Sequence, residues 1–321
     1  MVKILTNIIF PSDEPQNRRP ARILHLKWYK TTNKVVKQIL VPVDFSQQSV
    51  NAFRFAVDIA SKSRGQITLL NIIALPVLRD TMLMPVEGFR KSMIDELKSS
   101  VQQKFDDLVR THNTARVRVD EEVIISNRIH DSILKSIVDG HYDLVVMGTK
   151  GVSGIREWTI GSNTERIVRT SPVPVISVKD YTPAATIHDI VFPNALDSEN
   201  QEELVMRIKV LQDFFKATLH IIRVNTPAMH KDENSIREDL GDFAKRYLLK
   251  DYTLNVFDYS SEEAGIMEFT KQSGADMIAM GTHGVRGLAH FFSGSIAEDV
   301  VNHVPYPVWT WSEKAGTQVV H

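Results

Sequence analysis

The residues best placed to do chemistry sit in two fifteen-residue stretches. One is GTKGVSGIREWTIGS, residues 148–162, and the other is GTHGVRGLAHFFSGS, residues 281–295. Every glycine of the first recurs in the second at one offset of 133 residues, and seven of the fifteen positions are identical. Gly148 and Gly281 each follow a short apolar run, while Gly161–Ser162 and Gly294–Ser295 each precede a helix-like stretch. Glycine lacks a Cβ, so its backbone can take positive φ and come close to a ligand. A helix start adds unpaired N–H groups and the positive end of a dipole, which suits phosphate. Such a loop can hold an anion with backbone alone. The competing reading is that these glycines only shape strand-to-helix turns. Lys150 and Arg156 would add positive charge in the first loop, where His283 replaces Lys150 in the second. No G-x-x-x-x-G-K-S/T sequence occurs, and no G-x-G-x-x-G follows the first strand, so other phosphate loops do not fit.

The elements that must position these loops also repeat. The first copy opens KQILVPVDFS (37–46) and the second HDIVFPNALD (188–197), each an apolar run ending at Pro42 or Pro193. After Ser46, a helix N-cap candidate, SVNAFRFAVDIA places Val50, Phe53, Val57 and Ala60 on one face, and Gly65 suits the helix stop. ITLLNII (67–73) reads as a strand buried on both sides, followed by a helix over 87–110, a strand at VDEEVII and a helix near DSILKSIV. DLVVMG (143–148) and PVPVISV (172–178) are further strands, with a helix from about Asn163 between them. The second copy repeats the order with DIVFP, TLHIIRV, YTLNVFDY, DMIAMG and YPVWTW. Strands alternating with helices predict an α/β fold with open parallel sheets covered on both faces. The expected organisation is an N-terminal extension at 1–34, one domain at 35–180 and a second at 181–315, with KDYTPAATI (179–187) as linker. The extension holds Pro11, Pro15, Pro20 and the basic cluster Arg18, Arg19 and Arg22; an added strand from ARILHLKWY is the alternative.

Size and composition agree with two ordinary globular domains. The chain has 321 residues, 43 % hydrophobic and 24 % charged. Lysine and arginine number 38 against 39 acidic residues, a balance that argues against nucleic acid as a partner. Cysteine is absent, which excludes disulfides and cysteine-based zinc or redox centres. His283 and His290 are not at a ligand spacing, so no metal site is expected. The sequence shows neither a membrane-spanning stretch nor a secretory signal, and a cytoplasmic protein is expected.

The G-x2-G-x9-G-S/T pattern, matched in both copies, and the PVDFS opening of the first resemble the universal stress protein family, an α/β superfamily that binds adenine nucleotides. The resemblance covers nearly all of the chain beyond residue 34 and implies a tandem of two such domains. It implies a five-stranded parallel sheet in the order 3-2-1-4-5 in each, with the ligand at the switch point between the first and fourth strands. The implied ligand is ATP, ADP or AMP, with Mg²⁺ as an accompanying ion. In the first copy Pro42, Asp44 and Ile72 would line the adenine and ribose end, Met147 and Gly148 would flank the ribose, and Gly151, Gly161, Ser162 and Asn163 would hold the phosphates. The corresponding second-copy positions are Pro193, Val224, Met280, Gly281, Gly284, Gly294, Ser295 and Ile296. Asp44 has a plainer reading as a helix cap.

Two function classes compete, a nucleotide-binding regulatory protein and an enzyme acting on ATP. Phosphoryl transfer calls for metal ligands, a cationic clamp and a positioned base. None has an obvious signature here, and no histidine is placed beside Ser162 for a catalytic triad. Binding with at most slow hydrolysis is therefore expected; an interaction scaffold without nucleotide is the other alternative. Ala195 stands where the first copy has Asp44, so the first copy is expected to be the tighter site. Asp197 or Asn194 would replace Asp44 only through a shifted turn. The apolar last strands would lie at sheet edges, which predicts an intramolecular pseudo-dimer through them, or a homodimer.

Overall fold

The computed structural model describes residues 36–75, 87–149, 162–196, 201–282 and 295–312. The extension 1–34 and the loop residues Lys150, Gly151, Arg156, Gly161, Asp197, His283, Gly284, His290 and Gly294 lie outside the described residues.

The first copy runs β1 (Gln38–Pro42), α1 (Gln47–Ser63), β2 (Gln66–Ile73), α2 (Glu87–His112), β3 (Arg118–Ile125), α3 (Ile129–Asp139), β4 (Leu144–Gly148), α4 (Ser162–Thr170) and β5 (Val175–Val178). The second runs β6 (Asp189–Pro193), α5 (Glu202–Phe215), β7 (Thr218–Asn225), α6 (Glu233–Arg246), β8 (Tyr252–Asp258), α7 (Glu262–Ser273), β9 (Met277–Gly281), α8 (Ser295–His303) and β10 (Val308–Trp311). Every strand pair within a copy is parallel. Each half has the 3-2-1-4-5 order.

The two halves form one ten-stranded sheet, β3-β2-β1-β4-β5-β10-β9-β6-β7-β8. The seam is antiparallel: Val308 faces Ser177, Trp309 faces Ile176 and Thr310 faces Val175. Each last strand thus covers the other's unpaired edge. The outer edges are β3 and β8, and β3 carries Arg118, Asp120, Glu121 and Glu122, charges of the kind that discourage edge pairing. One face of the sheet is packed by a single apolar cluster running through both copies, with Phe53 and Phe105 at one end and Phe192 and Leu240 at the other. The opposite face carries two separate clusters, one per copy. Lys62 of α1 lies over Phe214 and Phe215 of α5, at 4.9 and 5.4 Å from the ring centroids, which adds a cation–π contact across the seam.

Segment 179–187 is anchored rather than loose. Asp58 on α1 accepts from the Tyr181 hydroxyl at 3.1 Å and the Ala184 N–H at 3.0 Å, and Asn51 donates to the Lys179 carbonyl at 3.0 Å. α1 stops directly before Gly65, as expected, with the left-handed turn one residue earlier. The left-handed residue is Arg64, with φ 54°, and the Gly65 N–H closes onto the Ala60 carbonyl at 2.9 Å. Gly65 is required for space, because a Cβ there would stand 3.0 Å from the carbonyls of Val36 and Lys37.

Candidate functional site

The site begins where two neighbouring strands part. β1 and β4 are paired at Ile39 with Leu144 and Leu40 with Val145, yet run on to Pro42 and Gly148. β6 and β9 pair at Ile190 with Met277 and Val191 with Ile278, yet run on to Pro193 and Gly281. Beyond these short ladders the carboxyl ends frame a crevice at the switch point, as open α/β sheets do. The helix after β1 packs on one face of the sheet and the helix after β4 on the other.

In the first copy the loop after β1 is pinned. The Val43 N–H donates to the Leu70 carbonyl at 2.8 Å, and buried Asn71 donates from Nδ2 to the Val43 carbonyl at 2.8 Å. Phe45 then turns left-handed, with φ 63°. Asp44 is exposed, and its Oδ1 accepts from the Ser46 N–H at 3.0 Å and the Ser46 hydroxyl at 2.5 Å. Ser46 is the N-cap of α1, its oxygen accepting from the Ser49 N–H at 3.3 Å. Asp44 therefore steadies the cap residue and is not itself the cap. At the end of β4, Met147 is buried, and Thr164 of α4 donates from Oγ1 to the Gly148 carbonyl at 3.1 Å. That bond fastens the start of α4 to the strand end, with half-buried Asn163 beside it. A Cβ on Gly148 would fall 2.5–2.6 Å from backbone atoms of Gln48 and Ser49. The first glycine of the motif is thus required by close packing of strand end against helix start.

The second copy keeps the frame and changes its chemistry. Leu196 repeats the left-handed turn of Phe45, with φ 59°. Ala195 has no carboxylate, and Asn194 does not supply one: it is 7 % exposed, accepts from the Leu196 N–H at 2.8 Å and donates to Gln201 at 2.7 Å. Leu70 pairs with Pro42 as Ile222 pairs with Pro193, so Arg223 occupies the place of Asn71 and Val224 that of Ile72. Arg223 donates from Nη1 to the Ala195 carbonyl. The left-handed caps Arg64 and Lys216 align the helix ends, and α5 has 14 residues against 17 in α1. The second helix therefore starts about a turn later. A Cβ on Gly281 would meet only the Leu204 side chain, at 3.0 Å. At the position of Thr164 stands Ala297, which cannot make the tie to the strand end. Ile296, at the place of Asn163, packs on the local apolar cluster.

Pro42, Met147 and Gly148 stand at the carboxyl ends of β1 and β4, Ile72 near the end of adjacent β2, and Asn163 in the first turn of α4. Asn71, Thr164 and Arg223 were not singled out from sequence. For Asn71 and Arg223 the available signal was a polar side chain inside runs that otherwise read as buried strand, TLLNII and LHIIRV. Among the described residues no group of three or more His, Cys, Asp or Glu could hold a metal, and no helix is long and apolar enough to cross a membrane. A separate cleft of about 430 Å³ lies at the carboxyl ends of β7 and β8, lined by Asn225, Pro227, His230, Asp258 and Tyr259.

Comparison with known proteins agrees with this architecture. A model of the Universal stress protein family matches residues 36–179 and again 189–310. A universal stress protein of Synechocystis sp. is 23 % identical over 298 residues, covering 86 % of this chain and 100 % of its own. Universal stress protein E of Photorhabdus laumondii is 22 % identical over 302 residues, covering 85 % of this chain and 94 % of its own. The crystal structure of a universal stress protein from Archaeoglobus fulgidus shares the fold, with a TM-score of 0.64 at 19 % identity over 86 % of this chain and 98 % of that one. With the family matched once in each half of a sheet that folds the same way twice, the chain belongs to the universal stress protein family and carries two of its domains in tandem.

Proposed function

We propose that the first domain binds an adenine nucleotide, ATP or its products ADP and AMP, and that its output is a change of shape or partner rather than turnover. The observation that carries this reading is the crevice between β1 and β4, with an exposed carboxylate on one side and, on the other, a helix start tied to the strand end. Pro42 and Ile72 offer apolar surface for a base, and Asp44 offers an acceptor for ribose or adenine donors. The N–H groups at the start of α4 suit phosphate. Gly151, Gly161 and Ser162 belong to the same proposal through the family motif, with Mg²⁺ arriving on the phosphates. A second reading, slow ATP hydrolysis, has no described metal cluster to support it.

The second domain is proposed to be the weaker nucleotide site. It lacks the Asp44 carboxylate and the Thr164 tie, and Arg223 brings a cation under its first loop. Losing a hydrogen bond to a charged group costs about ten- to hundredfold in affinity. Calorimetric titration of the full chain with ATP checks both statements. Gly161→Val should abolish the tight site and Asp44→Ala should weaken it by that factor, while Gly294→Val leaves it in place. Loss of the tight site in Gly294→Val alone reverses the assignment. Turnover near ten per second in a phosphate-release assay would make the protein an enzyme.

A further inference from the structure

Arg223 is charged, yet only 7 % exposed. It lies on β7 between Ile222 and Val224, both buried, and opposite Val256 on β8. Its one hydrogen bond among the described residues is from Nη1 to the Ala195 carbonyl. Among the described residues no carboxylate lies within ion-pair distance of it. Asp258, two residues beyond Val256, has Oδ1 engaged by Asn225 Nδ2 at 2.8 Å. A guanidinium carries five N–H donors in a planar fork and keeps its charge at all ordinary pH. Burying such a group without a counter-charge is costly. In the first domain Asn71, at the same strand position, is a neutral amide and caps a different carbonyl, that of Val43, whereas Arg223 reaches one residue further along its loop.

Among the described residues Arg223 Nε and Nη2 have no hydrogen-bond partner, which leaves one edge of the guanidinium fork unused. The substitution is paired with another. Where the first domain has a carboxylate, Asp44, above a neutral Asn71, the second has neutral Ala195 above Arg223, so the sign of the charge at the strand ends is inverted.

We infer that Arg223 is the anchor of an oxyanion site in the second domain, taking a phosphate group on its free N–H edge. Phosphate accepts a fork of parallel hydrogen bonds from arginine and would supply a counter-charge that no described residue provides. The same chemistry could be presented by free phosphate or by the phosphate tail of a nucleotide, and the two are separable by experiment.

Equilibrium dialysis of the full chain with radiolabelled inorganic phosphate, at ionic strength fixed with sodium chloride, tests the site. Arg223→Asn places at this position the neutral residue that the first domain carries there, Asn71. It should fold and lose phosphate affinity by about ten- to hundredfold at one site. In parallel, ATP titration of the same variant should leave the tight site of the first domain unchanged, so failure of the nucleotide proposal and failure of this one read separately. Competition of ATP for the Arg223-dependent phosphate identifies a nucleotide tail as occupant; its absence identifies free phosphate. No phosphate bound by the native chain, or unchanged affinity in Arg223→Asn, overturns the inference. If Arg223→Asn does not fold, Arg223→Lys decides, because lysine keeps the charge without the fork; unchanged affinity in it also overturns the inference.

Discussion

The two domains share a frame and differ in what the frame holds. At both switch points the fourth strand outruns its ladder and ends in glycine, and a left-handed residue follows the first strand. In the first domain the helix start is jammed against Gly148 and capped by Ser46, with Asp44 behind the cap. In the second, the helix starts later, Gln201 makes no side-chain cap bond to it, and a flexible leucine fills the space beside Gly281. Backbone geometry is thus common to both domains, while tight packing and the carboxylate belong to the first alone. Gly148 therefore serves the fold first, and the presence of Gly281 at the same place in the second domain does not by itself show a retained ligand.

The sharpest way to break this contrast is to add one methyl group to each of the paired glycines. Gly148→Ala sets a Cβ about 2.5 Å from helix backbone, which has no rotamer to yield. It should cost about 3 kcal/mol or more in urea unfolding. Gly281→Ala meets the end of a leucine at 3.0 Å and should cost less than about 1 kcal/mol. Equal losses would mean that the two switch points are packed alike.

Thr164→Val asks whether the tie between α4 and the end of β4 matters. It keeps the shape and removes the hydroxyl that donates to Gly148. Stability should fall by about 1 kcal/mol, and ATP affinity should fall with it because the helix start is no longer held. Unchanged affinity at reduced stability would sever the tie from the site.

The smallest effect is expected from Asp299, which stands in α8 at the place that Arg166 takes in α4. Burial, and next repulsion from Glu263, hold its carboxyl above the usual carboxylate range, while His303 pulls the other way. Its charged form therefore weakens the fold at neutral pH. Asp299→Asn should stabilise by less than about 1 kcal/mol at pH 7. That gain should fade as pH falls through the carboxylate range, where the native carboxyl is protonated folded and unfolded alike. A gain that persists at pH 2 would point to packing instead of charge.

The sequence alone determined the repeating strand and helix order, because buried parallel strands read as short apolar runs between helical periods. The switch point came through the family resemblance, which implied the order 3-2-1-4-5; PVDFS and GTKGVSG follow its first and fourth strands, and the sheet has that order in each half. The sequence placed Ser46 as a cap, a local matter of one side chain and the next N–H groups. It placed the stop of α1 at Gly65, directly after the C-cap Arg64, but not the close approach of Gly65 to the carbonyls of Val36 and Lys37, which only the fold brings near. Contacts between distant segments were decided by tertiary structure alone. Gly148 meets Gln48 across a hundred residues, Thr164 reaches back to Gly148, and Arg223 supports Ala195 from the neighbouring strand. The seam of β5 with β10 is of the same kind. An apolar last strand in each copy says that an edge must be covered, but the antiparallel register that covers it emerges only when both halves are folded.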